Sequence, residues 1–441
     1  MTRAVYTAVL VAMLFGWSLA AEAQTYHTMQ MVRPVATGAA GTGLDASNRV
    51  YRAYQGIPYE IHADAHGGRW PFTYRLSGTV PSGMTIEQGP CTTIGPTCTA
   101  GTITWTPSSS GTFGPITVTV RDVDGREVNG TWSIVVSTTI GADGFCFLDA
   151  VSGNDTTGAG SLAAPYQTLP KAHTSCGARA IMYLKNGTYA VGGGSLTNPS
   201  DCRNRYIWSE SSQPAIWVGY PGHTPTINFG STGAADGACI KISGANMWFD
   251  HLQMDNVGSI GFQLDARTNG YGAVIRHVQG LDLLAGADSL NSSFFMWVKY
   301  SEGYGYFDTV QNSDFRNIST GAVALKVYTT HTPIFETSRY GTMAPAAGSD
   351  AIIALKVMAR DFELRGNIGE SDTQTFIGGN MNRSDSPTLI PTRGKIFHNL
   401  SLGSDTGTAE GHLTLTAALI NSPEEIQVFR NTFVGGQMLF Y

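Results

Sequence analysis

From about residue 249 onward one dipeptide keeps returning: an apolar, mostly aromatic residue followed by a charged or polar one. It reads Phe249-Asp250, Ile275-Arg276, Phe307-Asp308, Phe335-Glu336, Phe362-Glu363, Phe397-His398 and Phe429-Arg430. The intervals run from about 26 to 35 residues, the range in which a repeated supersecondary unit stacks into a solenoid. Neighbouring residues of a strand face opposite sides, so stacked coils are expected to carry the apolar residues in one interior column and the charged ones in an exterior column. The next inward position reads His251, His277, Thr309, Thr337, Leu364, Asn399 and Asn431, a polar ladder along a turn. A second alternating strand accompanies the first in the same order, as Cys239–Ser243, Phe262–Asp265, Met296–Tyr300, Ala324–Tyr328, Ile353–Met358 and His412–Thr416. In register it would project Lys241, Gln263, Lys299, Lys326, Lys356 and Thr414 outward from successive coils.

Composition agrees with β structure and many tight turns: 53 of 441 residues are Gly and only 14% are charged. A chain of this length exceeds one ordinary core, so two domains are expected. The net charge of -6 argues against a nucleic-acid partner. Residues 1–23 read as a secretory signal, with Arg3 before an apolar run and Ala21-Glu22-Ala23 as a small-x-small cleavage site. No later segment is apolar enough to span a bilayer, so a secreted or cell-surface protein is expected. Six widely spaced cysteines suit an oxidising compartment. Cys91 and Cys98 are expected to close a loop, while pairing among Cys146, Cys176, Cys202 and Cys239 stays open.

Residues 24–50 lack periodicity and read as a leader or linker. Over 51–138 five short strands alternate with Gly, Pro, Ser and Asp turns, which predicts a β-sandwich; Ile116-Thr-Val-Thr-Val120 is its clearest half-buried strand. Asp122 and Asp124 fit a polar hairpin turn better than a calcium site, which needs more oxygens. The segments Gly68-Arg-Trp-Pro-Phe-Thr-Tyr-Arg-Leu-Ser-Gly78, Val80-Pro-Ser-Gly-Met84, Gly101-Thr-Ile-Thr-Trp-Thr-Pro107 and Val118-Thr-Val-Arg-Asp-Val-Asp-Gly125 resemble the immunoglobulin or cadherin-like module common in bacterial surface proteins. That resemblance implies a spacer or adhesive unit.

The stretch from Phe145 through Tyr189, with Ala164-Pro-Tyr-Gln-Thr-Leu-Pro-Lys-Ala172, resembles the opening of pectate-lyase-like proteins. The resemblance implies a right-handed parallel β-helix over 145–441, capped by a short helix near Pro165 to Ser175. Asn246-Met-Trp-Phe-Asp-His251 is similar to the Asn-Val-Trp-Ile-Asp-His stretch of pectate lyases, which implies Asp250 as a calcium ligand. The exterior column of Asp308, Glu336 and Glu363 offers further oxygen ligands or a general acid, or simply a solvated acidic face. The family's segment with Pro between two arginines is absent, so Lys299 and Lys326 are the candidates for a base that removes a proton from a uronate. Lys241 and Lys356 would then bind an acidic polymer, with Trp297 as a stacking surface. The expected fold is all-β, an immunoglobulin-like sandwich followed by the β-helix. The expected activity is on an extracellular acidic polysaccharide, by lysis, hydrolysis or binding, with a rigid adhesin or filament scaffold as the alternative. Gly435 to Tyr441 ends in apolar residues without a visible cap, which suggests truncation or self-association through the last coil.

Overall fold

Ten short strands pair in parallel, each with its counterpart one coil later, from Phe145–Leu148 through Ile181–Leu184, Ile216–Gly219 and Trp248–Asp255 to Glu425–Phe429. They form the first face of a parallel β-helix. The computed structural model describes residues 26–38 and 44–191 and, between 206 and 440, the strands with their short turns. From Ile181–Leu184 onward the chain bends after each first-face strand and adds a strand to a second face, which shares one 19-stranded sheet with the first. It then contributes to a third face, a separate nine-stranded parallel sheet from Tyr206–Ser209 to Met438–Phe440. The helix Leu169–Ser175, with Thr168 as N-cap, packs Leu169 and Ala172 against Cys146 and Leu148 of the first coil. It covers the edge that a stacked sheet would otherwise leave open. The disulfide Cys146–Cys176 ties it there, and Cys91–Cys98 closes the expected loop in the other module. Cys202, Lys299, Phe307 and the signal region lie outside the described residues.

The bend between the first two faces follows a local rule. From Trp248–Asp255 onward one residue at each corner takes a left-handed conformation: His251 (φ 55°), His277 (49°), Asn312 (50°), Thr337 (49°), Gly366 (66°), His398 (56°) and Arg430 (53°). Glycine, histidine and asparagine suit this region better than threonine does. The following residue points inward and builds a ladder: Ser313, Ser338, Asn367, Asn399, Asn431. Ser338 N donates to Asn367 Oδ1 at 3.1 Å, Asn367 N to Asn399 Oδ1 at 3.0 Å, and Asn399 N to Asn431 Oδ1 at 2.9 Å. Each side chain thus satisfies a backbone donor that the bend removes from the sheet.

Register overturns part of the expected columns. The interior column of the first face is Cys146, Met182, Trp217, Phe249, Ile275, Val310, Phe335, Leu364 and Ile396, all buried. Phe249 and Phe335 belong to it, whereas Phe397 and Phe429 sit one position later, on the opposite side of the sheet, and Phe362 sits two positions before Leu364. His251 and His277 occupy the corner, with Leu252 and Val278 after them at the ladder position. The charged column is Asp250, Arg276, Gln311, Glu336 and Arg365; Asp308 and Glu363 are not in it.

That column is not solvated, because the other module lies on it. The sandwich has a four-stranded sheet (Arg52–Tyr54, Glu127–Ser137, Gly111–Arg121, Thr73–Gly78) facing a three-stranded one (Tyr59–His62, Thr102–Trp105, Thr85–Ile86). Its apolar core runs without a break into the outer side of the first face, where Phe145, Phe147, Ile181, Tyr183, Ile216, Val218, Trp248 and Val274 are buried. Tyr54 meets the rings of Phe145 and Phe147 edge-on at 5.1 and 5.0 Å, and at the far end Tyr26 meets Phe397 and Phe429. The sequence expectation of a leader over 24–50 fails for the same reason: Gln30–Arg33 is a strand paired antiparallel with Asp64–His66, and Arg33 is buried between Asp64 (2.7 Å) and Thr309 (2.9 Å). The module is therefore a brace along the solenoid rather than a spacer in front of it.

Candidate functional site

Adjacent coils place opposite charges at the same register position, and burial under the sandwich makes these pairs matter. Asp250 Oδ2 accepts from Arg276 Nη2 at 2.8 Å and Nε at 3.2 Å; both side chains are fully buried. Burial alone would raise the Asp250 carboxyl, but Arg276 and His251 hold it well below the usual carboxylate range. Glu336 Oε2 accepts from Arg365 Nε at 2.8 Å, and Arg365 Nη2 reaches Ala65 O of the sandwich at 2.8 Å. Asp308 Oδ1 accepts from Ala273 N at 3.0 Å. The three carboxylates expected to share a calcium ion are thus dispersed, two against guanidinium groups and one against a backbone amide. At these positions no set of adjacent free carboxylates forms.

Glu363 anchors the opposite end of the seam. It is fully buried, pairs with Arg365 Nη1 at 2.5 Å, and accepts from Gly67 N at 3.1 Å and from His27 Nδ1 at 3.2 Å. Burial would raise its carboxyl, yet His66, Arg365 and His27 push it down to about 2. A carboxyl lowered on folding contributes stability above its unfolded value, near 4.3, and loses it as pH falls toward 2. Glu363→Gln is accordingly expected to lower stability at pH 7 by about 3 kcal/mol, a deficit that narrows through pH 4 to 2. Urea midpoints of the two proteins measured across that range check it; a deficit independent of pH would contradict the assignment.

At the corner beside Asp250, one residue from the sandwich meets two from the helix. His251 Nδ1 is 2.8 Å and His277 Nδ1 3.3 Å from Asp250 Oδ1. Glu60, from the strand Tyr59–His62, brings its Oε1 to 3.0 Å from Arg276 Nη2, 3.7 Å from His277 Nδ1 and 3.9 Å from His251 Nε2. Burial lowers and Asp250 and Glu60 raise His251, with a net rise, whereas burial dominates at His277 and lowers it. The repeated pairs Asp250-His251 and Arg276-His277 were visible in sequence, but Glu60 comes from another module and carries no signal there.

The third face gives a different column. Lys241 pairs in register with Gln263, Gln263 with Trp297 and Trp297 with Lys326; the next positions are Ala354, Gly378 and Thr414. Lys241 is half-buried between the fully buried Ile240 and Ile242, which fixes its position on the outer parity. Lys356 lies two residues beyond Ala354 and pairs with Asn380, so the expected four-lysine stripe is corrected to Lys–Gln–Trp–Lys. Trp217 and Trp248, two further tryptophans of the coils, are buried.

Comparison with family models matches residues 41–137 to the family described as "Putative Ig domain". No curated protein and no solved structure matches the chain. Among the described residues no helix is long and apolar enough to cross a membrane.

Proposed function

We propose that this is an extracellular protein that binds an acidic polysaccharide along the third face of its β-helix. The observation that carries the reading is the register column Lys241, Gln263, Trp297, Lys326, repeating at the strand spacing of about 4.8 Å. Cations at the ends of such a column suit the carboxylates of uronic acids, and an amide and an indole between them suit hydroxyls and the apolar faces of sugar rings. The disulfides and the immunoglobulin-like module are consistent with an extracellular setting. Binding is favoured over turnover because Asp250 and Glu336, candidates for the metal, are engaged with arginines beneath the sandwich.

Affinity electrophoresis through gels containing polygalacturonate, alginate or a neutral galactan tests the proposal. Retardation by the acidic polymers is expected, and the double variant Lys241→Ala/Lys326→Ala is expected to weaken it about tenfold, some 1.4 kcal/mol. Equal mobility in every gel would remove the polysaccharide reading, and appearance of unsaturated product absorbance would add lyase turnover to it.

A further inference from the structure

Among the described residues three clusters of histidines and carboxylates bring ligand atoms within 4.8 Å of one another: His27–His66–Glu363, His62–Asp64–Glu336 and Glu60–His251–His277. In the first two the carboxylates are buried and bound to arginine, Glu363 and Glu336 by Arg365 and Asp64 by Arg33. In the third all three side chains are partly exposed, at 29%, 37% and 24%, whereas in the first only His27 is.

We propose that Glu60, His251 and His277 form a binding site for a borderline divalent transition metal, zinc being the reference ion, which staples the sandwich to the β-helix. His251 Nδ1 lies at hydrogen-bond distance from Asp250, which places the proton of the neutral ring on Nδ1 and leaves the Nε2 lone pair directed toward Glu60. The gaps from Glu60 Oε1 to the two rings, 3.9 and 3.7 Å, are too long for hydrogen bonds. They lie close to the edge of a zinc tetrahedron, about 3.4 Å when each ligand sits about 2.1 Å from the ion. The ring centroids are 4.3 Å apart, so both imidazoles can turn to one centre. Asp250 then stands behind His251 as the carboxylate that orients it, whereas His277, whose Nδ1 is 3.3 Å from the same carboxylate, gives up that contact when its ring turns to the ion. Asp250 and Glu60 against Arg276 leave one net negative charge before the ion arrives, which favours a cation. Two imidazoles and one carboxylate select zinc, cobalt, nickel or copper over calcium and magnesium, which prefer six or more oxygens. Three protein ligands at an exposed corner leave a fourth position for water.

The test uses the full chain without an affinity tag, stripped with chelator and titrated with zinc or cobalt chloride, with calcium and magnesium chloride as controls. One equivalent of zinc is expected to bind, to raise Tm by about 2 °C or more at saturation, and cobalt is expected to give the intense visible bands of a low-coordinate site. His251→Ala, His277→Ala and Glu60→Gln should each weaken zinc binding at least tenfold. The metal-free Tm of each variant shows whether it is folded, and Glu60→Gln, at the rim, serves if a histidine variant is not. Absence of zinc binding by the wild-type chain, or binding that the Glu60→Gln and histidine variants retain, would overturn the site.

Discussion

Arg276→Met is expected to destabilise the protein by about 3–5 kcal/mol, because it strands the Asp250 carboxylate in a site with no exposure. The arginine also reaches Glu60 of the sandwich, so the change loosens the seam as well as the column. A buried pair draws most of its apparent strength from the cost of separating it, not from its net worth. The double variant Asp250→Leu/Arg276→Met should therefore recover much of the loss, since both charges go together. Denaturant midpoints of the three proteins decide the matter. A single variant with wild-type stability, or a double variant less stable than Arg276→Met, would mean that the pair is not buried as described.

A chain of residues 138–441 alone is expected to fail as a soluble monomer. Removing the sandwich exposes Phe145, Phe147, Ile181, Tyr183, Ile216, Val218, Trp248 and Val274 as one contiguous apolar strip over the first four coils and into the fifth. Such a strip exceeds the few hundred Å² that monomeric proteins usually leave bare. The middle coils present Arg276, Glu336 and Arg365 at the same position and would tolerate water, while Phe397 and Phe429 lose the cover of Tyr26, so the association should arise chiefly from the larger strip at the N-terminal end of the solenoid and secondarily from its last two coils. Size-exclusion chromatography with a hydrophobic dye provides the measurement. A dispersed monomer with intact β circular dichroism would show that the brace is dispensable.

The repeat, its spacing and the sandwich strands could be read from the residues, and the capping helix from a family resemblance, while the register of the columns could not. An alternating strand declares its parity only when one side meets water. The first face is buried on both sides, by the helix interior and by the sandwich, so aromatic residues occupy both parities: Phe249 and Phe335 point inward, whereas Phe397 and Phe429 meet Tyr26 outside. Aligning on phenylalanine then slips coils against one another. The runs Phe145-Cys-Phe-Leu148 and Ile181-Met-Tyr-Leu184, apolar at every position, were the sign that this face had two partners. The safer ruler was the corner, where a residue such as His398 or Gly366 precedes an inward Asn. On the third face Lys241, Gln263 and Lys326 share one register position, whereas Lys356 lies two residues beyond it, a slip that preserves parity. Glu60 stayed invisible because a contact between modules leaves no periodicity in either.

Small-angle scattering on the intact chain reports the placement of the two modules directly. With the sandwich laid along ten coils, which rise about 48 Å in all, the pair-distance distribution should have one peak and a maximum dimension little beyond the solenoid's own length. A distribution with two separated peaks, as an end-to-end arrangement gives, would contradict the brace and with it the burial of the charged column.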